Sequence, residues 1–150
     1  MTDSVQLLFT RKPVVGSSLI RAVSWSGYSH VQVVVNGDVI GAEMLKGVVS
    51  ESMKERIDCS SRAALMTVPC RDRRSLTDFI VATTGARYDY LGALGLAFHK
   101  DWDSATRFWC SEWVASALKA SGSPIFKDEF IKRLTPQHIF MLPFPTEFVK

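Results

Sequence analysis

A histidine, a glutamate and a cysteine carry the chemistry this sequence can offer, and a turn places two of them. Residues 30–43 read H-V-Q-V-V-V-N-G-D-V-I-G-A-E. Asn36-Gly37 between two runs rich in valine and isoleucine is a strong short-range signal for a two-residue type I′ hairpin. Counting outward from that turn sets Val35 against Asp38, Val33 against Ile40, Val31 against Ala42 and His30 against Glu43. Directly opposed Cβ atoms lie roughly 4.5–5.5 Å apart, within reach of a carboxylate–imidazole hydrogen bond. Strand alternation puts His30, Gln32 and Val34 on one face and Val31, Val33 and Val35 on the other. Gly41, opposite Gln32, is expected to leave room beside the pair. A histidine oriented by a carboxylate is half of a nucleophilic triad.

Cys110 is the obvious nucleophile. It opens F-W-C-S-E-W-V-A-S-A-L, in which Val114, Ala117 and Leu118 follow at helical spacing. That places the thiol in the first turn of a buried helix, beside unpaired N–H groups and about half a positive charge. Both favour thiolate over thiol, and the same N–H groups can hold an oxyanion. Each residue alone has a plainer reading. Free cysteines are commonly packing residues, a histidine at a strand start is often part of the core, and a strand glutamate usually faces water. The register that brings His30 to Glu43 argues for all three together.

Two rival bases remain. His99 lies in a polar H-K-D-W-D-S loop, and His138 follows T-P-Q on a short helix near the end. Neither Cys59 nor Cys70 begins a helix with an apolar face, so both read as structural.

The elements that must position these groups are legible as patterns. Strands are expected over 5–10, 29–35, 38–44 and 63–68, the last stopped by Pro69; 47–50 extends the second hairpin strand or starts a third. Residues 54–59 are polar and ambiguous. Helices are expected over 16–25, over 71–84 with Gly85 as C-cap, over 88–98, and over 110–120 before Gly122 and Pro124. Thr135 as N-cap and Pro136 at the first position open a last short helix. Strands followed mostly by helices predict an α+β fold, a small antiparallel sheet packed against helices.

Composition bounds the function. The chain has 150 residues, 47% hydrophobic and 22% charged, which fits one globular domain over 1–150 with a real core. A net charge of +3 points weakly to an anionic partner, and without a stripe of Lys and Arg interleaved with aromatics no nucleic-acid partner is expected. Three cysteines argue against a disulfide framework. With no C-x-x-C pair and three scattered histidines, no metal site and no cofactor are expected. The opening M-T-D-S-V-Q-L-L-F-T lacks a basic segment followed by an apolar one, and no run of 18 apolar residues exists. The expectation is therefore cytoplasmic synthesis, with neither signal peptide nor transmembrane helix.

The chain resembles the circularly permuted branch of the NlpC-type papain-like cysteine peptidases, the branch of the YiiX-like proteins and the lecithin retinol acyltransferase relatives. The resemblance rests on S-H-V-Q-V-V-V, V-I-G-A-E with G-V-V after it, G-A-R-Y-D-Y-L-G-A-L, F-W-C-S-E-W-V-A-S-A-L-K-A-S-G and L-T-P-Q-H-I, with the His block before the Cys block as in the permuted branch. It implies a permuted papain-like fold with the nucleophile at the start of a buried helix. Cys110 would be the nucleophile, His30 the general base and acid, and a polar residue of the next strand the orienter. Here the sequence departs: the family's polar residue stands just before an alanine, where this chain has Gly41-Ala42, and Glu43 is the available substitute. Tyr28 and Tyr88 are candidates to line the substrate site, against a simpler role in aromatic packing. Glu112 would stabilise the first turn of its helix, and Asp89 would cap another. The implied activity is a cysteine hydrolase on peptide amides of the cell wall, with a lipid acyltransferase or thioesterase, or a silent binding or phage-structural module, as rivals. An apolar channel near Leu91, Leu94, Leu96 and Phe98 would favour lipid. Without a signal peptide, a wall enzyme needs another route, and a phage-carried protein, borne on a virion or released at lysis, fits that gap. The oligomeric state is left open.

Overall fold

The computed structural model describes residues 3–13, 27–88 and 107–150, with only the backbone of 88, 107 and 108. The helix expected over 16–25, most of that over 88–98, Asp89, the Leu91–Phe98 channel residues and His99 lie outside the described residues.

Alternating apolar residues build a six-stranded antiparallel sheet in the order β4-β3-β2-β1-β5-β8. Its strands are β1 (Asp3–Arg11), β2 (His30–Val35), β3 (Asp38–Glu43), β4 (Gly47–Ser52), β5 (Arg62–Cys70) and β8 (Thr146–Phe148). The hairpin has the expected register, with Val33 opposite Ile40 and Val35 opposite Asp38. Asn36 and Gly37 have φ of 52° and 87°, the two positive values a type I′ turn requires. Residues 47–52 form a third strand of the meander, with Glu43 opposite Gly47. A second, two-stranded parallel sheet pairs β6 (Arg87–Tyr88) with β7 (Arg107–Phe108).

The two faces of the large sheet differ. One carries Val5, Leu7, Phe9, Val31, Val33, Ala42, Val48, Ala64, Met66 and Val68. Against them pack Trp113, Val114, Ala117 and Leu118 of α3 (Cys110–Ala120), with Leu76 and Ile80 of α2 (Arg73–Thr83). The other face carries Leu8, Val39 and Ala63, covered by Met53 and Ile57 of α1 (Met53–Asp58). Two short helices follow, α4 (Asp128–Ile131) and α5 (Pro136–Phe140).

Three expectations need correction. The stretch 54–59, ambiguous in sequence, is helical to Asp58 with Cys59 as C-cap, because the Ser52 side chain accepts from Glu55 N–H and caps α1. Pro69 does not stop its strand: β5 runs to Cys70, with Pro69 opposite Ser4. β8 pairs with β5 at Ala64–Met66, and among the described residues no partner strand beyond β5 asks for the N–H missing at Pro69. The space beside Gly41 is not empty. A Cβ there would lie 2.9 Å from Gln32 Cγ, so the buried glutamine side chain fills it.

Candidate active site

β2 and β3 present His30 and Glu43 side by side. Thr10 of β1 stands opposite His30 in the ladder and accepts from Ser29 N–H at 3.0 Å, which fixes where β2 begins. His30 Nε2 lies 2.9 Å from Glu43 Oε2. The two atoms are close as an ion pair yet off line as a hydrogen bond, since neither completes hydrogen-bond geometry. The imidazole also interacts directly with the sulfur of Cys110.

Cys110 is the first residue of α3, after Trp109 in extended conformation with no side-chain cap. The opening N–H groups of the helix are therefore without a capping side chain. Burial there is nearly complete over Cys110, Ser111, Glu112 and Trp113. Trp113 anchors the helix through Nε1–H to Thr83 Oγ1 at 2.9 Å, and Ser111 donates to the Leu134 carbonyl at 2.6 Å.

The electrostatics favour a charged pair. Burial pushes the His30 pKa down, but the facing sulfur and the Glu43 carboxylate outweigh it and raise it from 6.5 to about 9. Burial pushes the Cys110 thiol up, but His30 and the Val31 N–H outweigh it and hold its pKa below the usual thiol value. Both shifts favour a thiolate beside an imidazolium. Glu43 is likewise raised by burial, and His30 and Arg56 outweigh this to hold it well below the usual carboxylate range.

Sequence reasoning missed Arg56. Its Nη1 donates to Glu43 Oε1 at 3.0 Å and to Glu51 Oε2 at 3.2 Å, and its Nε–H to Thr10 Oγ1 at 3.4 Å. Lys12 Nζ adds a longer contact to Glu43 Oε1 at 3.5 Å. The S-x-x-E spacing of Ser52 and Glu55 was the available signal for α1, although it says nothing of where Arg56 reaches.

Tyr28 is 1% exposed and packs against Phe9 and Phe140, with ring centroids 5.8 and 4.6 Å away, under the Arg62 guanidinium. It offers no surface to a substrate in this form. The Tyr88 backbone pairs with Phe108; its side chain lies outside the described residues. His138 is no rival base: its Nδ1 accepts from Thr135 N–H at 3.0 Å and closes a capping box on α5. Cys59 is exposed and Cys70 buried, neither in the site.

No family model and no curated protein matches this chain. Among solved structures, the crystal structure of the metalloprotein yiiX from Escherichia coli O157:H7 superposes with a TM-score of 0.69, covering 99% of this chain and 97% of the other at 17% identity. The fold is YiiX-like. That neighbour is described as a metalloprotein. In this chain's YiiX-like fold, no group of three or more His, Cys, Asp or Glu side chains forms a metal-ligand set among the described residues. Glu43, the carboxylate of the site, faces the cations Arg56 and Lys12, which a metal ion would have to displace. Among the described residues, this donor set does not fit a metal. No helix among the described residues is long and apolar enough to cross a membrane.

Proposed function

We propose that this protein is a cysteine hydrolase of the permuted papain-like type, acting through a thioacyl-enzyme. One observation carries the reading: Cys110 at the start of a buried helix meets a His30 that is paired at 2.9 Å with Glu43. Cys110 sulfur attacks the carbonyl carbon as a thiolate, and the carbonyl π electrons move to oxygen. The first N–H groups of α3 hold that oxyanion. The imidazolium of His30 then protonates the leaving amine or alkoxide as the tetrahedral adduct collapses. Neutral His30 next takes a proton from water, whose oxygen attacks the thioester and restores the thiolate. Glu43 keeps the ring oriented and favours its charged form. The proposed substrate is a peptide amide of the bacterial cell wall, following the sequence resemblance.

A lipid acyl ester or thioester is the second reading, favoured by the turn beside Glu43. Leu45 there is 89% exposed at φ 70° and Met44 is partly exposed, an apolar projection next to the site.

Alkylation of Cys110 by iodoacetamide, followed against pH with the site assigned by mass spectrometry, tests the enzyme reading without a substrate. Rapid modification at pH 6, slowed about 10²-fold in His30→Ala and absent at Cys59, is the expected result. A profile centred near the free-thiol value of about 8.5, indifferent to His30, would return the protein to a binding or structural role. Hydrolysis of muropeptides against acyl thioesters then separates the two substrate classes.

A further inference from the structure

The hairpin carries the histidine and its carboxylate, but the hairpin alone does not hold the carboxylate still. Glu43 is the last residue of β3, next to a three-residue turn whose Leu45 has a positive φ. A glutamate side chain has three rotatable bonds, and orienting an imidazole requires most of that freedom to be removed. Across the sheet face, α1 supplies a side chain placed to do so. Arg56 is 5% exposed, an unusual depth for an arginine, and it spends its donors within one cluster. Nη1 bridges Glu43 Oε1 and Glu51 Oε2, and Nε reaches Thr10, the residue opposite His30 in the ladder. Glu43 thereby uses one oxygen for Arg56 and presents the other to His30.

We propose that Arg56 is a positioning residue of the site, clamping Glu43 between α1 and β4 so that its free oxygen faces His30. This rests on the cysteine-hydrolase reading. Arg56 touches neither the sulfur nor a substrate and acts through Glu43. A planar guanidinium suits this role because it serves two carboxylates in fixed directions, whereas an ammonium is a single mobile point charge. The charged groups facing Glu43 are His30 from β2, Lys12 beyond β1, Arg56 from α1 and Lys46 in the turn. Glu51 from β4 balances Arg56 and is itself paired with Lys46 at 2.7 Å. Lys12 is farther, partly exposed and bonded to nothing else among these groups, so it substitutes poorly for Arg56.

The sign of the effect follows from that route. A released Glu43 no longer supports the imidazolium, which disfavours the thiolate. Arg56→Met, compared with wild type by pH-resolved iodoacetamide alkylation of Cys110, is expected to move the profile to higher pH and slow modification at pH 6 by about tenfold. The same change made in Glu43→Gln is expected to add nothing, because the group through which Arg56 acts is already lost. A folded Arg56→Met with the wild-type profile, or one whose effect adds in full to that of Glu43→Gln, overturns the proposal. Should Arg56→Met fail to fold, Arg56→Lys keeps the charge but loses the shared fork: a displaced profile supports the clamp and a wild-type profile overturns it. An ordinary thiol profile in the wild type itself would instead remove the hydrolase reading.

Discussion

At the scale of single residues, the proposed site turns on one proton. In the proposed ion pair, folding takes it from Cys110 and leaves it on His30, so the native and unfolded chains would hold equal numbers of protons near neutrality. The sign of the pH dependence follows. His30, raised from 6.5 to about 9, stabilises the fold below 6.5, and that contribution is lost as pH rises through about 9. Cys110, lowered, stabilises above its unfolded value and loses that contribution as pH falls through its folded value. The pair therefore gives a stability that is nearly level above about 6.5, where the His30 loss and the Cys110 gain offset each other, and that falls as pH drops below it; Cys110→Ser should remove that acid-side fall. Urea midpoints measured over pH 5–10 check this; a wild-type curve that parallels the variant's would refute it. Glu43→Gln should lower the NMR titration midpoint of the His30 ring from about 9 toward 6.5, because one of the two anions supporting the imidazolium, the facing sulfur being the other, is gone. The pairing of His30 with Glu43 was readable because a two-residue turn leaves only one register. The clamp on Glu43 was not, since a buried arginine on a polar six-residue helix looks in sequence like any solvated charge.

At the scale of elements, the site depends on how β4 meets the loop after α2. Gly47 has φ 79°, and a Cβ there would collide with the Ala86 carbonyl oxygen. The same strand holds that loop by backbone hydrogen bonds, Val48 N–H to Ala86 O at 2.8 Å and Gly85 N–H to Val48 O at 2.9 Å. Gly47→Ala should therefore cost about 2 kcal/mol or more in chemical denaturation, since both the dihedral and the approach demand glycine. Because Gly47 stands opposite Glu43, the variant should also slow Cys110 alkylation. A denaturation midpoint unchanged from wild type would show that the strand and loop can part without loss. Long periodic elements such as β1, α2 and α3 were legible in the sequence, because their apolar spacing is set by the same core that buries them. β8 and α4 were not: three and four residues carry too little pattern to distinguish them from loop.

At the scale of the whole molecule, sheet order separates neighbours in space from neighbours in sequence. β1 pairs with β2 on one side and β5 on the other, and α3 arrives late in the chain to cover β2 and β3. The fold class was deducible from the succession of strands and helices. The strand order was not, because nothing local to β1 says which two partners it will take. His30 and Cys110 come together only when all of this is in place, so the acidity of the thiol belongs to the folded state. Cys70, in contrast, is fully buried at the end of β5. The two sulfurs should thus respond oppositely to urea at pH 6, Cys110 losing reactivity through the unfolding transition as Cys70 gains it. In a cell under stress, a soft electrophile would mark Cys70 only in copies that had lost their fold, so that sulfur would carry a chemical record of whether the chain was native when it was struck.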